Sequence, residues 1–335
     1  MAAPLATIFG CEGLTLSARE RAFFRAADPW GFILFRRNID NPDQLRALTA
    51  EMRACVGRAA PVMIDQEGGR VARMRPPHWR KFGPAMADAT GLYAEERLEL
   101  RSRLIAHDLA SVGIDANCAP LLDVATDEMH DAIGDRALGS DAAIVAKLGH
   151  AVRRGLMAGG VLPIVKHLPG YGRATVDPHE ALPHVTAGRD ALEADFAPFR
   201  DHADAPMGMT GHLVFDAIDP ETVSTFSAPC IDLIRNEIGF DGLLMTDDLS
   251  MGALEGDIAS RAARSRAAGC DMILHCNGDM AEMQAVAAHA GMLEGDALRR
   301  AQVVDAMPRD AVPLDVEQAA ARYAELTLMS ETANA

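Results

Sequence analysis

The sequence has no run of about 18 uninterrupted apolar residues, the length an apolar helix needs to cross a bilayer. It has no Cys-x-x-Cys pair. Cys11, Cys55, Cys118, Cys230, Cys270 and Cys276 stand mostly in apolar runs, so they read as packed, reduced thiols and not as a disulfide framework. The first residues lack a basic segment followed by a long apolar one, so no signal peptide is expected, and the chain reads as cytoplasmic. Basic residues are few beside acidic ones, 32 against 48, for a net charge of -16. A field of that sign repels phosphate backbones and anionic lipid, which argues against nucleic acid and membrane surfaces as partners. No linker, low-complexity run or repeat divides the chain, so residues 1–335 read as one domain.

What is present is apolar mass, 49% of the chain, arranged in short runs that alternate with longer amphipathic ones. The strand candidates are Ala6–Cys11, Gly31–Phe35, Val62–Asp65, Ala116–Leu122, Leu162–His167, Met207–His212, Gly242–Asp247 and Met272–Cys276. Nearly all are apolar on both faces, as buried parallel strands are. The first helix should open at the capping box Ser17-Ala-Arg-Glu20, and the second just before Pro42. Further helical patterns lie near 95–112, 142–159, 189–203, 226–238, 255–268, 279–291 and 315–329, and the end from Ser330 to Ala335 is expected to fray. Eight strand–helix units fit an α/β fold of one (β/α)₈ TIM barrel better than an open doubly wound sheet.

A barrel of this kind carries its site at the carboxyl ends of the strands. There the runs stop on Glu12, Asn38, Asp65 with Gln66 and Glu67, Asp123, Lys166 with His167, His212, Asp247 with Asp248, and His275. A single polar strand end is ordinary loop chemistry; eight converging on one rim point to a site. The loop from Lys166 to His184 is long, rich in Gly and Pro, and carries three histidines. Gly170 and Gly172 are placed to act as hinges. Asp177 and His179 lie two apart, so the carboxylate can take the Nδ1–H and leave Nε2 for proton transfer. Asp247 directly follows Gly-Leu-Leu-Met-Thr, so a rigid strand aims its carboxylate at the mouth; Asp248 can then cap the next helix. His78, His107, His150, His202 and His289 read as solvated or packed, while His130 and His184 lie near the mouth.

These residues carry a resemblance. The chain resembles the single-domain bacterial β-N-acetylhexosaminidases of glycoside hydrolase family 3, the peptidoglycan-recycling type. The motifs are Ile64-Asp-Gln-Glu-Gly-Gly-Arg-Val-Ala-Arg73, Lys166-His-Leu-Pro-Gly170, Asp177-Pro-His179 and Met245-Thr-Asp-Asp-Leu-Ser-Met251, in that order. The resemblance implies Asp247 as nucleophile and His179 as acid/base, polarised by Asp177. It also implies that Asp65, Lys166 and His167 hold the hydroxyls of a terminal sugar. Arg73 and Arg136 would complete the pocket, with His212 and Met251 lining it. The sequence departs from the family at Leu168, Tyr171, Pro178 and Gly211, where Phe, His, Ser and Ala are usual. None of these removes a proposed catalytic group, but Pro178 stiffens the acid/base loop.

The implied reaction is retaining hydrolysis of β-linked N-acetylglucosamine from anhydro-muropeptide fragments, through a glycosyl-enzyme and without cofactor or metal. A monomer is expected. Two rival readings remain open at this point. One is a metal-dependent barrel hydrolase using His167, His212, His275, Asp65 and Asp247; against it, the chain has no HExxH and no His-x-His on the first strand. The other is a non-catalytic sugar-sensing barrel, which has no need for Asp177, His179 and Asp247 together.

Overall fold

A computed structural model of the protein describes residues 3–176 and 181–333. Eight strands run in parallel around one axis: β1 (Leu5–Phe9), β2 (Pro29–Leu34), β3 (Val62–Ile64), β4 (Ala116–Asn117), β5 (Leu162–Leu168), β6 (Met207–Thr210), β7 (Leu243–Met245) and β8 (Ile273–His275). β1 to β7 pair in sequence order, and β1 also pairs with β8. The ring closes where Met245 bridges Met272 and the Thr246 N–H donates to the Met272 carbonyl at 3.1 Å. The barrel expected from the alternating pattern is therefore the one observed.

Period-2 alternation puts Ile8, Ile33, Met63, Ile164, Met207, Met209, Met245 and Leu274 inside the barrel. Phe9, Phe32, Leu34, Val62, Ile64 and Val165 point outward to the helices. Unbranched methionines suit the irregular interior, because they adapt to gaps that branched side chains leave. β4 is shorter than expected. Pro120 has no N–H to give a regular ladder. The chain still follows β5 irregularly, through Ile164 N–H to the Ala119 carbonyl at 3.1 Å and Leu122 N–H to the Lys166 carbonyl at 2.8 Å.

The surrounding helices begin where local chemistry says they should. α1 (Ala18–Ala27) opens on Ser17, whose Oγ accepts from the Glu20 N–H at 3.2 Å while the Glu20 carboxylate accepts from Ser17 N–H at 2.7 Å. Glu20 also accepts from the Glu12 N–H at 2.9 Å, so this cap ties down the loop after β1 at the mouth. α2 (Pro42–Val56) carries Pro42 in its first turn. α3 (Ala94–Ala110), α4 (Ala142–Ala158) and α5 (Arg189–Asp201) follow as expected. α6 (Ala228–Asp232) is short and widens over Leu233–Glu237. α7 (Ile258–Ala268) is capped by Asp257, and α8 (Met280–Ala290) by Asp279.

The sequence reading did not anticipate α9 (Gly295–Ala306). Its buried face is Ala297, Ala301 and Val304, too small a stripe to stand out among its polar residues. These residues and Leu293 pack on the barrel interior, and Trp30 Nε1 reaches Asp305 at 3.4 Å. α9 thus plugs the amino end of the barrel and leaves the carboxyl end as the open one. α10 (Val316–Ala333) runs past the expected fraying point: Ser330 is buried, and Tyr323 Oη donates to Asp88 at 2.7 Å.

Ser17→Ala removes one half of the α1 cap. It should cost about 1 kcal/mol in urea unfolding and leave turnover unchanged.

Candidate active site

A cavity of about 380 Å³ opens at the carboxyl ends of the strands. Ile33, Met209 and Leu274 contribute its apolar surface from the barrel interior; Phe35 and Met251 add to it. The polar lining comes from Asp65, Arg70, Arg73, Arg136, Lys166, His167, Asp247 and Asp248.

The segment after β3 folds into a small hairpin, Gln66–Gly68 against Val71–Ala72. Gly68 sits at φ +105, and a Cβ there would stand 2.0 Å from Arg101 Nη2, so glycine is required. Gln66 Oε1 accepts from the Arg73 N–H at 2.8 Å and the Met74 N–H at 3.0 Å, which fixes the return arm. The hairpin delivers three charges to the mouth. Asp65 accepts from Arg73 Nη2 at 3.1 Å and from Lys166 Nζ at 2.8 Å. Lys166 Nζ also lies 2.7 Å from Glu67 Oε1. Glu67 takes a two-pronged contact from Arg136, at 2.9 Å from Nε and 2.8 Å from Nη2. The result is a continuous chain of alternating charge: Arg73, Asp65, Lys166, Glu67, Arg136.

Burial alone would push both carboxylates up. The Lys166 ammonium and Arg73 outweigh it at Asp65 and hold that group well below the usual carboxylate range. Arg136 and Lys166 do the same at Glu67, lowering it to about 2. At Lys166 burial would lower the pKa, but Asp65 and Glu67 raise it, so the amine stays charged although almost wholly enclosed.

Lys166 and His167 are consecutive, yet both line the cavity. The pairing of β5 with β6 shifts register between Lys166 and Leu168, and such an irregularity re-aims side chains. Asp123, fully buried in the irregular segment that follows β4, meets the Nδ1 of His167 at 2.8 Å. Its other oxygen accepts from the backbone N–H of His167 at 3.2 Å and of Tyr171 at 2.7 Å.

Asp247 is half-buried on the cavity wall. Among the described residues its one hydrogen-bond donor is the Asp248 N–H, at 2.8 Å. Asp248 is fully occupied by comparison. It accepts from Ser250 N–H and Cys276 N–H, each at 3.1 Å, and from Ser250 Oγ at 2.5 Å. Asp248 does not cap α7 as expected; that cap is Asp257, and Asp248 fastens a turn to β8 instead. His212 lies behind this turn and not among the cavity-lining residues. Its Nδ1 meets Thr225 Oγ1 at 2.8 Å and its Nε2 the Asp248 carbonyl at 3.1 Å.

Asp177 and His179 lie outside the described residues. The start of their loop is described, and its glycines pack closely. A Cβ on Gly172 would stand 1.8 Å from the Val124 carbonyl, so that glycine permits a close approach. Thr126 Oγ1 donates to the Gly172 carbonyl at 2.9 Å, and the His130 N–H to the Ala174 carbonyl at 2.8 Å. His130 and His184 do not line the cavity; His184 is exposed, 3.4 Å from Asp216.

Two groups behind the cavity are named in the sequence as strand ends but have no role assigned there. Glu67 and Asp123 stand at strand ends, but nothing in a linear pattern says that one neutralises Lys166 and the other orients His167. The histidines suggested for a metal do not converge. His212 has both nitrogens engaged, and His275 turns outward to Glu282 at 2.9 Å. His150, Asp201 and His202 cluster elsewhere, on α4 and at the end of α5. Their imidazoles stack at 3.9 Å with planes 22° apart, so in-plane lone pairs do not meet at one point.

A parallel barrel with one end plugged and a carboxylate-lined, sugar-sized cavity at the other has the form of a glycoside hydrolase. Residues 18–309 match the family described as Glycosyl hydrolase family 3 N terminal domain. The sequence is 37% identical over 282 residues to the "Beta-hexosaminidase" of Alkalilimnicola ehrlichii, covering 81% of this chain and 80% of that one. It is 37% identical to the "Beta-hexosaminidase" of Pseudomonas aeruginosa strain PAO1, covering 82% and 83%. Among solved structures, native NagZ from Neisseria gonorrhoeae aligns with a TM-score of 0.85 at 28% identity, over 98% of both chains. A family 3 β-N-acetylglucosaminidase from Paenibacillus sp. str. FPU-7 aligns at 0.86 and 28% identity, over 96% of this chain and 67% of that one. The chain belongs to glycosyl hydrolase family 3 and is a β-N-acetylhexosaminidase of that family.

The buried ion chain makes stability pH-dependent. Glu67 titrates at about 2 in the folded protein against an ordinary 4.5, so between those values the unfolded chain binds more protons. Its contribution is complete above the ordinary value and is lost as pH falls through the folded one; Asp65, also depressed, acts in the same sense. Urea midpoints measured across that window should fall with acidification, and the fall should be shallower in Glu67→Gln.

Proposed function

We propose that this enzyme removes terminal, non-reducing β-linked N-acetylglucosamine by a retaining double displacement. The observation that carries the proposal is the state of the cavity carboxylates. Asp65 is neutralised by Lys166 and Arg73, and Asp248 is consumed by three donors. Asp247, among the described residues, faces the cavity with a single neutral donor. A carboxylate so placed, on the end of a barrel strand, is suited to attack.

In the first step an Asp247 oxygen bonds to the anomeric carbon as the glycosidic C–O bond breaks. The leaving oxygen takes a proton from His179. In the second, His179 takes a proton from water, whose oxygen bonds to the anomeric carbon and releases Asp247. Asp177 orients His179, and imidazole, with an ordinary pKa of about 6.5, exchanges protons near neutrality. Asp65, Lys166, His167, Arg73 and Arg136 hold the sugar hydroxyls, and Met251 walls the pocket. His212 serves from behind, bracing the turn that carries Asp248.

The natural substrate in this reading is an anhydro-muropeptide fragment. Arg70, exposed on the cavity wall, is held by the Ala132 and Ile133 carbonyls and lies 3.4 Å from Asp135; an anionic aglycone would have to compete with Asp135 for it. Six buried, unpaired thiols suit a reducing compartment, so a cytoplasmic place of work belongs to the same proposal.

The test is chromophore release from an aryl N-acetyl-β-glucosaminide, with and without chelator. Wild type should turn over in both. Asp247→Ala should lose activity by roughly four orders of magnitude or more, and His179→Ala by roughly two to four. Full activity in Asp247→Ala would remove it as nucleophile; loss to chelator with recovery on zinc would favour metal chemistry.

A further inference from the structure

We infer that Asp123 is a positioning residue that sets the tautomer of His167 and so decides which hydrogen bond the cavity offers a sugar hydroxyl. The inference rests on the reading of the cavity as the sugar site. Asp123 is 0% exposed, and each of its oxygens has its own task. Oδ1 accepts from two backbone N–H groups, His167 at 3.2 Å and Tyr171 at 2.7 Å. Oδ2 meets His167 Nδ1 at 2.8 Å. A carboxylate accepts and does not donate, so Nδ1 must carry the proton. Nε2 then presents a lone pair. Among the described residues Nε2 has no protein partner, while the ring lines the cavity. In the neutral ring Nε2 is therefore an acceptor for a hydroxyl proton, complementing the Lys166 and arginine donors that line the same cavity.

The geometry makes one substitution unusually informative. In Asp123→Asn the two backbone N–H groups still need an acceptor, so the amide oxygen must take the place of Oδ1. The amide NH₂ is then left facing His167 Nδ1. That nitrogen must accept, the ring proton moves to Nε2, and the cavity loses its acceptor and gains a donor. Size and fold are retained while the polarity of one nitrogen is reversed. The same carboxylate also binds the Tyr171 N–H at the root of the loop that carries Asp177 and His179. A purely structural role would lie there, and it predicts lost stability without any change of tautomer.

The experiment is nitrogen-15 NMR of histidine-labelled protein without sugar, above the ordinary imidazole pKa, with His167 assigned by its loss in His167→Gln. Wild type should show a protonated Nδ1 and an unprotonated Nε2. Asp123→Asn should show the reverse. Its kcat/KM for the aryl N-acetyl-β-glucosaminide should fall roughly ten- to hundredfold, with KM rising and the thermal midpoint little changed. A wild-type ring protonated on Nε2 overturns the inference even if the variant fails to fold. So does a variant that keeps the wild-type tautomer, or one that reverses it with no change in kcat/KM. Because the tautomer is read in the free protein, failure of the sugar-site reading would appear as absent turnover with the tautomer result intact.

Discussion

Lys166 is an almost fully enclosed ammonium held between Asp65 and Glu67, and the rest of the mouth is arranged around it. An isolated buried charge is very costly, so each ion in such a place needs its partner. Removing one member of a buried pair typically costs about 3–5 kcal/mol, because the other is left uncompensated. Here the pairing runs through five residues on three segments: the hairpin after β3, the Ile133–Arg136 turn and β5. The chain has three cations and two anions, so every carboxylate in it is paired and one positive charge is left over. Fixed N–H groups and a fixed carboxylate are what a polyhydroxylated ligand needs, and they need no reorganisation when it arrives.

That network depends on the barrel being rigid elsewhere. α9 seals the amino end, methionines fill the interior, and the floor of the cavity is apolar. An apolar floor lowers the local dielectric and so strengthens the electrostatics above it. The aspartate pair at the end of β7 follows the same logic. Asp248 spends its oxygens on Ser250 and Cys276, and His212 grips its carbonyl, so the turn is stiff. Asp247 is thereby held in place without having to be satisfied itself. Asp123 does matching work behind the cavity, joining the segment after β4, the His167 ring and the root of the long loop through one carboxylate.

Much of this was legible in the sequence, for physical reasons. Buried parallel strands must be apolar on both faces, so all eight appeared as short runs, and the rule that sites sit at their carboxyl ends picked out Asp65, Lys166, His167 and Asp247. The capping box at Ser17 and Pro42 at a helix start are local chemistry and need no tertiary information. α9 was hidden because its buried face is two alanines and a valine. Asp123 and Glu67 were visible as strand ends, but their roles come from partners that lie far away in sequence. The close approach of the Val124 carbonyl to Gly172, which no side chain would permit, is a long-range contact that the residue type alone does not disclose. His212 ends its strand like the others, but it turns toward Thr225 and away from the cavity.

The central claim is that Asp247 forms a covalent bond to the sugar. The direct measurement is mass spectrometry of the digested enzyme after reaction with a fluorinated N-acetylglucosaminyl fluoride that slows release of the intermediate. The account predicts one added sugar, on the peptide containing Asp247 and on that carboxylate. A label on another residue, or inactivation-free turnover of the reagent with no covalent adduct, would contradict it.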